Sequence, residues 1–172
     1  MDKESSQRLR QKTVLTKEIA MELDETDRRI LRVLQKQGRI SNADLSDQVN
    51  LSASACHRRV QRLETDGVIR GYVALLNARK MAVPTTVFVE ITLSAQADEV
   101  LDAFEKAVAR IPDVLECHLM AGTADYILKV VAEDTEDFAR IHRQHLTRLP
   151  GVAQMQSSFA LRTVFKTTAL PV

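Results

Sequence analysis

Beyond residue 23 the apolar positions fall into short periodic runs. Ile30, Leu31 and Leu34 recur at helical spacing with Val33 beside them, and Gly38 is placed to end the run, which predicts a first helix over residues 24–37. Ser41 or Asn42 caps a short second helix that buries Leu45 and Val49. The stretch Asn50-Leu51-Ser52 supplies a break and a second cap, and a third helix is predicted over 52–66, stopped by Gly67. Residues 68–76 have β-rich composition and predict a short extended ribbon, so that three helices and a wing fill this half. Residues 77–84 show no period and mark a hinge. Val87, Val89, Ile91 and Leu93 then alternate with Phe88, Glu90 and Thr92 as a strand. A helix over 98–111 carries Val100, Leu101, Phe104, Val108 and Ile111 on one face and ends before Pro112. Leu115, Cys117 and Leu119 alternate as a second strand, 122–125 form a turn, and 126–131 a third strand. Phe138, Ile141, His145 and Leu149 line another helix ended by Pro150-Gly151, and a last strand starts at Val152.

The second half contains a repeat. Ile111-Pro112-Asp113-Val114 and Leu149-Pro150-Gly151-Val152 each close a helix and open a strand, giving strand-helix-strand twice. That is a ferredoxin-like βαββαβ unit, one antiparallel sheet with both helices on one face. The expected chain is therefore an α/β two-domain protein: an N-terminal winged helix-turn-helix, all-α with a short wing, and a C-terminal ferredoxin-like domain. Residues 1–22 mix charge with Ser and Thr and are expected to be a flexible tail. The helix-turn-helix spans 23–67, the linking strand and hinge 68–84, and the ferredoxin-like domain 85–172. The second face of its sheet needs cover. Phe88, Met120, Ile127, Val131 and Ala160 can populate it, and another copy of the chain is the simplest cover, so a dimer through this domain is expected.

Composition sharpens the division. The chain has 172 residues, 45% of them apolar and 4% aromatic, and all seven aromatic side chains lie beyond residue 71, so the first core is built from Leu, Ile and Val. Residues 1–80 hold 16 Lys and Arg against 11 Asp and Glu, whereas 81–172 hold 8 against 12, behind a net charge of only +1. A basic half joined to an acidic one suggests a polyanion-binding module attached to something else. No apolar run reaches the roughly 20 residues of a membrane helix, so a cytoplasmic protein is expected. Cys56 and Cys117 stand far apart without a C-x-x-C, which suggests reduced thiols rather than a disulfide or zinc framework.

Chemistry concentrates on the third helix. At about 100° per residue, Cys56, Val60 and Leu63 share one narrow sector, and the opposite sector holds Ser54, Arg58 and Gln61 flanked by His57 and Arg62. An apolar stripe backed by cations and hydrogen-bonding groups suits entry into a DNA major groove, because phosphates need cations and base edges need bidentate donors and acceptors. Arg58, Gln61 and His57 are the base-edge candidates, and Arg62 with the caps Asn42 and Ser52 the phosphate candidates. Arg59 lies beside the core, where Glu64 or Asp66 can pair with it.

These motifs carry a resemblance. Gly38-Arg39-Ile40-Ser41-Asn42, Leu51-Ser52, Cys56 with Arg59-Val60-Gln61-Arg62-Leu63-Glu64, and Gly67-Val68-Ile69-Arg70-Gly71-Tyr72 resemble the DNA-binding domain of the Lrp/AsnC (leucine-responsive, feast/famine) regulators. Phe88-Val89-Glu90-Ile91, Glu116-Cys117-His118, Gly122-x-x-Asp125-Tyr126 and Leu149-Pro150-Gly151-Val152 continue it in order, from about Leu23 to the end of the chain. The resemblance implies a prokaryotic, nucleoid-associated transcription regulator that binds double-stranded DNA. Its C-terminal domains are expected to pair as homodimers that assemble into tetramers or octamers. It also implies a small effector, commonly an amino acid, held at the contact between dimers near the turn Met120 to Tyr126. There Asp125 can pair with an ammonium group and the Gly122 backbone can approach a carboxylate closely. Thr123 belongs to the same turn, and Leu119, Thr135 and Ser158 occupy positions that resemble pocket-lining ones. Residues 68–76 become the linking strand near a twofold axis, in which Arg70 and Tyr72 either reach the DNA backbone or pack.

Two other readings compete. His142-x-x-His145 with Glu133, Asp134, Glu136 and Asp137 nearby loosely resembles a metal surface, but His145 falls on the apolar face and His142 at its flank. No nucleophile elbow, phosphate-cradling lysine loop or dinucleotide glycine pattern occurs, so neither an enzyme nor a resident cofactor is expected. An architectural DNA-binding protein without effector control differs from a regulator mainly through Gly122 and Asp125.

Overall fold

A computed structural model of the chain describes residues 22–172; the expected tail over 1–22 lies, but for its last residue, outside the described residues. The chain divides into two compact units, residues up to 74 together with 167–172, and residues 75–166.

In the first unit, helix α1 (Glu25–Leu34) starts from a reciprocal cap: the Asp24 carboxylate accepts from the Asp27 N–H, and the Asp27 carboxylate from that of Asp24. It stops three residues short of the expected 37, because a turn in which the Ile40 N–H bonds the Gln37 carbonyl brings Ile40 back onto the core. Helix α2 (Asn42–Val49) is capped by Ser41, so Asn42 is its first residue and not a cap. Asn50 ends it in the left-handed conformation, at φ 55°. Helix α3 (Ala53–Thr65) follows at once from the Ser52 cap. Six buried side chains, Ile30, Leu31, Leu45, Val49, Cys56 and Leu63, form the core, with Val60 half-buried at its edge. Of the expected ribbon over 68–76, Val68 and Ile69 pack on this core, and the segment pairs with no other strand among the described residues of this one chain. Val73, Leu75 and Leu76 are left exposed. Residues 167–172, expected as the end of the second domain, are grouped in space with the first unit.

The second unit is the expected βαββαβ arrangement: β1 (Thr85–Leu93), α4 (Asp98–Val108), β2 (Val114–Leu119), β3 (Tyr126–Ala132), α5 (Thr135–Gln144) and β4 (Val152–Phe159), with strand order β2-β3-β1-β4 and every pair antiparallel. Alternation decides the faces. Val87, Val89, Ile91 and Leu93 of β1 and Tyr126, Leu128, Val130 and Ala132 of β3 are buried beneath the helices with Phe104, Phe138 and Ile141. The opposite face carries Phe88, Ile127 and Val131, and Phe88 stays 39% exposed.

The second strand expected at Leu115, Cys117 and Leu119 forms as β2, and because it is an edge strand paired only to β3 these three side chains are exposed. One expectation for this unit fails locally: the helix expected to carry His145 and Leu149 ends at Gln144. His145 is its half-buried C-cap, and the 3₁₀ turn Leu146–Arg148 brings Leu146 into the core beside Leu149. Gly151, in the second copy of the repeat, is a position only glycine fits well. Its φ is +74°, and a Cβ there would stand 2.6 Å from Cγ1 of Val100.

Candidate DNA-binding and effector surfaces

The α2–break–α3 geometry is fixed by side chains at the break. The Leu51 N–H bonds the Ser46 carbonyl, and Asn42 Nδ2 donates to the Ala53 carbonyl at 2.9 Å, tying the start of α2 to the start of α3. Asn42 and Ser52, expected on phosphate, thus also hold the motif together, Ser52 Oγ accepting from the Ala55 N–H. On α3, Ser54, His57, Arg58, Gln61 and Arg62 are all exposed, on the side away from Cys56 and Leu63. Ser54 Oγ lies 3.3 Å from Ser52 Oγ. Among the described residues, His57, Arg58 and Gln61 make no side-chain hydrogen bond or ion pair, so their donors and acceptors are free for a ligand. In a chain with three neighbouring arginines that is informative, because the other two are engaged.

Arg59 and Arg62 converge on one acid that the sequence reading missed. Asp27 is 1% exposed; its Oδ1 accepts from Arg59 at 2.8 Å and its Oδ2 from Arg62 at 2.5 Å, while Arg59 also reaches Asp24 at 2.7 Å. The Asp27 amide and then the Arg59 guanidinium hold the Asp24 carboxyl below its ordinary range, and Arg59 is raised in turn. Arg62, a phosphate candidate, is also held by Asp27, with 46% of its side chain exposed. One expectation changes here. Arg59 pairs with Asp24 and Asp27 rather than Glu64 or Asp66, since α1 crosses the base of α3 at that point. Glu64 accepts instead from the Tyr72 hydroxyl, whose pKa burial and this carboxylate push up to about 12. This bond ties Tyr72 to the first unit while the side chain stays 48% exposed, and Arg70 is exposed as well. An acid three residues into a helix that needs capping was the available signal for Asp27; its long-range partners were not readable.

In the second unit the turn after β2 is organised by Asp125. Its Oδ2 accepts from the Leu93 N–H at 2.7 Å and its Oδ1 from Gln96 Nε2 at 2.6 Å, while its backbone bonds Ile91 and Met120. Asp125 is thus a buried clamp between the turn and the end of β1, and Gln96 is a partner the sequence reading did not name. Met120, Gly122 and Thr123 are exposed, and a Cβ at Gly122 would meet nothing within 4 Å. Nothing inside this chain requires glycine there.

The expected effector residues converge only in part within one chain: Leu119 pairs with Tyr126 at the base of the turn, whereas Thr135 and Ser158 lie elsewhere. Tyr126 is 1% exposed, its ring 4.6 Å from Phe104 and its hydroxyl donating to Glu105, so it is a core residue; burial and Glu105 raise its pKa. Leu119 is on the edge strand, and Thr135 is exposed at the start of α5. Ser158 pairs with Phe88, five residues along β1 from the Leu93 that Asp125 grips, a separation of roughly 17 Å at strand rise. The acids near His142 serve structure: Asp134 caps α5, and Asp137 pairs with Arg140 and accepts from the Glu133 N–H. Among the described residues no cluster of three metal-ligating groups occurs, and no helix is long and apolar enough to cross a membrane.

Residues 23–70 match the family described as winged helix-turn-helix DNA-binding, and 86–170 match the Lrp/AsnC ligand binding domain. The leucine-responsive regulatory protein of Escherichia coli is 42% identical over 151 residues, covering 88% of this chain and 92% of that protein. Among solved structures, an AsnC family transcriptional regulator from Agrobacterium tumefaciens superposes with a TM-score of 0.84 at 38% identity, over 87% of this chain and 97% of that one. A transcriptional regulator from Neisseria meningitidis in complex with L-Met gives 0.83 at 37% identity, over the same shares. A helix-turn-helix with a free cationic face and a ligand-binding domain, matched in one order along nearly the whole described chain, make this protein a member of the Lrp/AsnC family of transcription regulators.

Proposed function

We propose that the protein binds operator DNA through α3, with Arg58, Gln61 and His57 on base edges, Ser54 beside them, and Asn42, Ser52 and the outer edge of Arg62 against phosphate. One observation carries this: Arg58 and its neighbours stand exposed and unengaged on a helix whose other arginines are tied to Asp27. The Asp27 cluster presents α3 at a fixed angle, so binding need not order the helix first. Arg58→Ala should weaken specific operator binding by about 1–3 kcal/mol, read by anisotropy titration at fixed salt. Equal affinity for wild type and variant would sink the groove assignment.

The effector is an amino acid or a close relative, as the L-Met complex of the Neisseria relative suggests. Its site uses the exposed turn Met120, Gly122 and Thr123, with Asp125 as the clamp that shapes it. Leu119 and Tyr126, paired across β2 and β3 at the base of the turn, belong to that site within one chain, and Thr135 and Ser158, which lie apart from them, join it only where chains meet. This favours a homodimer through the Phe88 face, built up to tetramers or octamers. Cytoplasmic action at the nucleoid follows from the DNA-binding role. A thermal-shift screen against the amino acids, L-Met included, should raise the midpoint with ligand concentration by mass action. No shift from any of them, with DNA binding intact, would favour an architectural protein instead.

A further inference from the structure

Residues 167–172 have no regular secondary structure, yet they are specifically held on the first unit. The Gln35 side-chain amide grips Leu170 on both sides of its backbone: the Leu170 N–H donates to Gln35 Oε1 at 2.6 Å, and Gln35 Nε2 donates to the Leu170 carbonyl at 3.1 Å. This two-point contact copies the pairing of one strand residue with another. Arg32 Nε donates to the Val172 carbonyl at 2.7 Å while its Nη1 pairs with Glu25, so the guanidinium is fixed before the segment arrives. Thr167 Oγ1 accepts from the Ala169 N–H, which shapes the approach, and Pro171 keeps Leu170 extended. Val172 supplies the apolar anchor. It is half-buried against the α1 core, in a groove also lined by Leu31, Leu34 and Ile69. The Leu170 side chain remains 72% exposed, so recognition rests on its backbone rather than its side chain.

We propose that α1 and residues 68–72 form a docking groove on the DNA-binding unit whose occupant is this chain's own segment 167–172. The groove takes an extended apolar peptide through a side-chain amide and a guanidinium. Three features point to this segment rather than a foreign peptide: it is seated there, its backbone is matched by donors and an acceptor, and Val172 completes a core of only six buried side chains. The chain leaves the first unit at 74–75 and returns to it at 166–167.

Hydrogen exchange on the full-length protein tests the groove. The Leu170 N–H should exchange at least tenfold more slowly than in the free peptide, and Gln35→Ala should return it to the free rate while α1 to α3 stay protected. Val172→Asp should lower the melting midpoint of the first unit by several degrees and leave the second unchanged. Free-peptide exchange at Leu170 in the unaltered chain would overturn the docking. Lys36→Cys with Leu170→Cys, in a Cys117→Ser background that keeps Gln35, then reports the source of the occupant under a bis-maleimide. Cross-linked single chains support the assignment, and cross-linked dimers overturn the own-chain occupant.

Discussion

The two units solve the problem of small size in opposite ways. The second buries fifteen side chains, aromatics included, in one continuous core between a sheet and two helices, and leaves a whole sheet face uncovered. The first buries five aliphatic side chains and one cysteine between three short helices. A core that small gives little margin, and the unit supplements it with polar ties: the Asp24–Asp27 cap, two arginines on Asp27, Asn42 across the break, Tyr72 on Glu64, and the segment 167–172. Those ties engage Arg59 and Arg62 and leave Arg58 without a partner among the described residues. Holding the reading helix in place and selecting which cations face the ligand are the same act in this unit. In the second unit stability and ligand chemistry are separated, the core lying beneath the helices and the turn at Asp125 standing at its rim.

Substitutions confined to one unit sharpen this contrast if unfolding is followed separately in each. Gly151→Ala should have the largest effect, about 3 kcal/mol from a left-handed non-glycine backbone plus the clash with Val100, and should lower only the melting transition of the second unit. Calorimetry that shows both transitions falling together would refute the independence of the cores. Asp27→Ala follows, at about 2 kcal/mol: loss of a buried ion-pair partner costs 3–5 kcal/mol when the remaining charge is trapped, but Arg59 and Arg62 are 31% and 46% exposed and rehydrate. Here only the first unit should weaken, and DNA affinity should fall with it as α3 loses its anchor.

The smallest effect is on acid sensitivity. The Asp24 carboxyl is held below its ordinary pKa by the Asp27 amide and Arg59, so its contribution is full above the unfolded value, about 3.9, and is lost as pH falls through the lower folded value. Asp24→Ser keeps a cap but no charge. Its first-unit midpoint should change less than wild type between pH 6 and pH 3, and an identical pH dependence in the two proteins would remove Asp24 from the account.

Much of this was legible before any coordinates. The alternation in β1, the repeated Pro-x-Val closures and the apolar stripe of Cys56, Val60 and Leu63 each report a local period, and local periods survive folding unchanged. The exposed set Ser54, His57, Arg58 and Gln61 was readable for the same reason: it is the complement of that stripe on a single helix. Three kinds of feature were not. Alternation placed Leu115, Cys117 and Leu119 on a strand, but it shows which residues share a face and not whether anything covers it, so their exposure on an edge strand was not readable. A partner completes the ladder of a strand, so the pairing of 68–76 is not decided within one chain. Long-range polar pairing assigned Arg59, Arg62, Asp125 and Gln35, residues whose partners lie 29 to 135 positions away in sequence.

The sequence by itself determined the order of elements, the two separate cores, the free face of α3 and the membership of the family, all of which depend on residue type at fixed spacing. Tertiary structure alone decided which charges are spent on the fold and which remain for ligands. It gave Asp27 to two arginines, Asp125 to the end of β1, and residues 167–172 to the unit at the other end of the chain. The reason is physical: periodicity is a property of one segment, whereas an ion pair or a docked strap exists only when two distant segments have already been brought together.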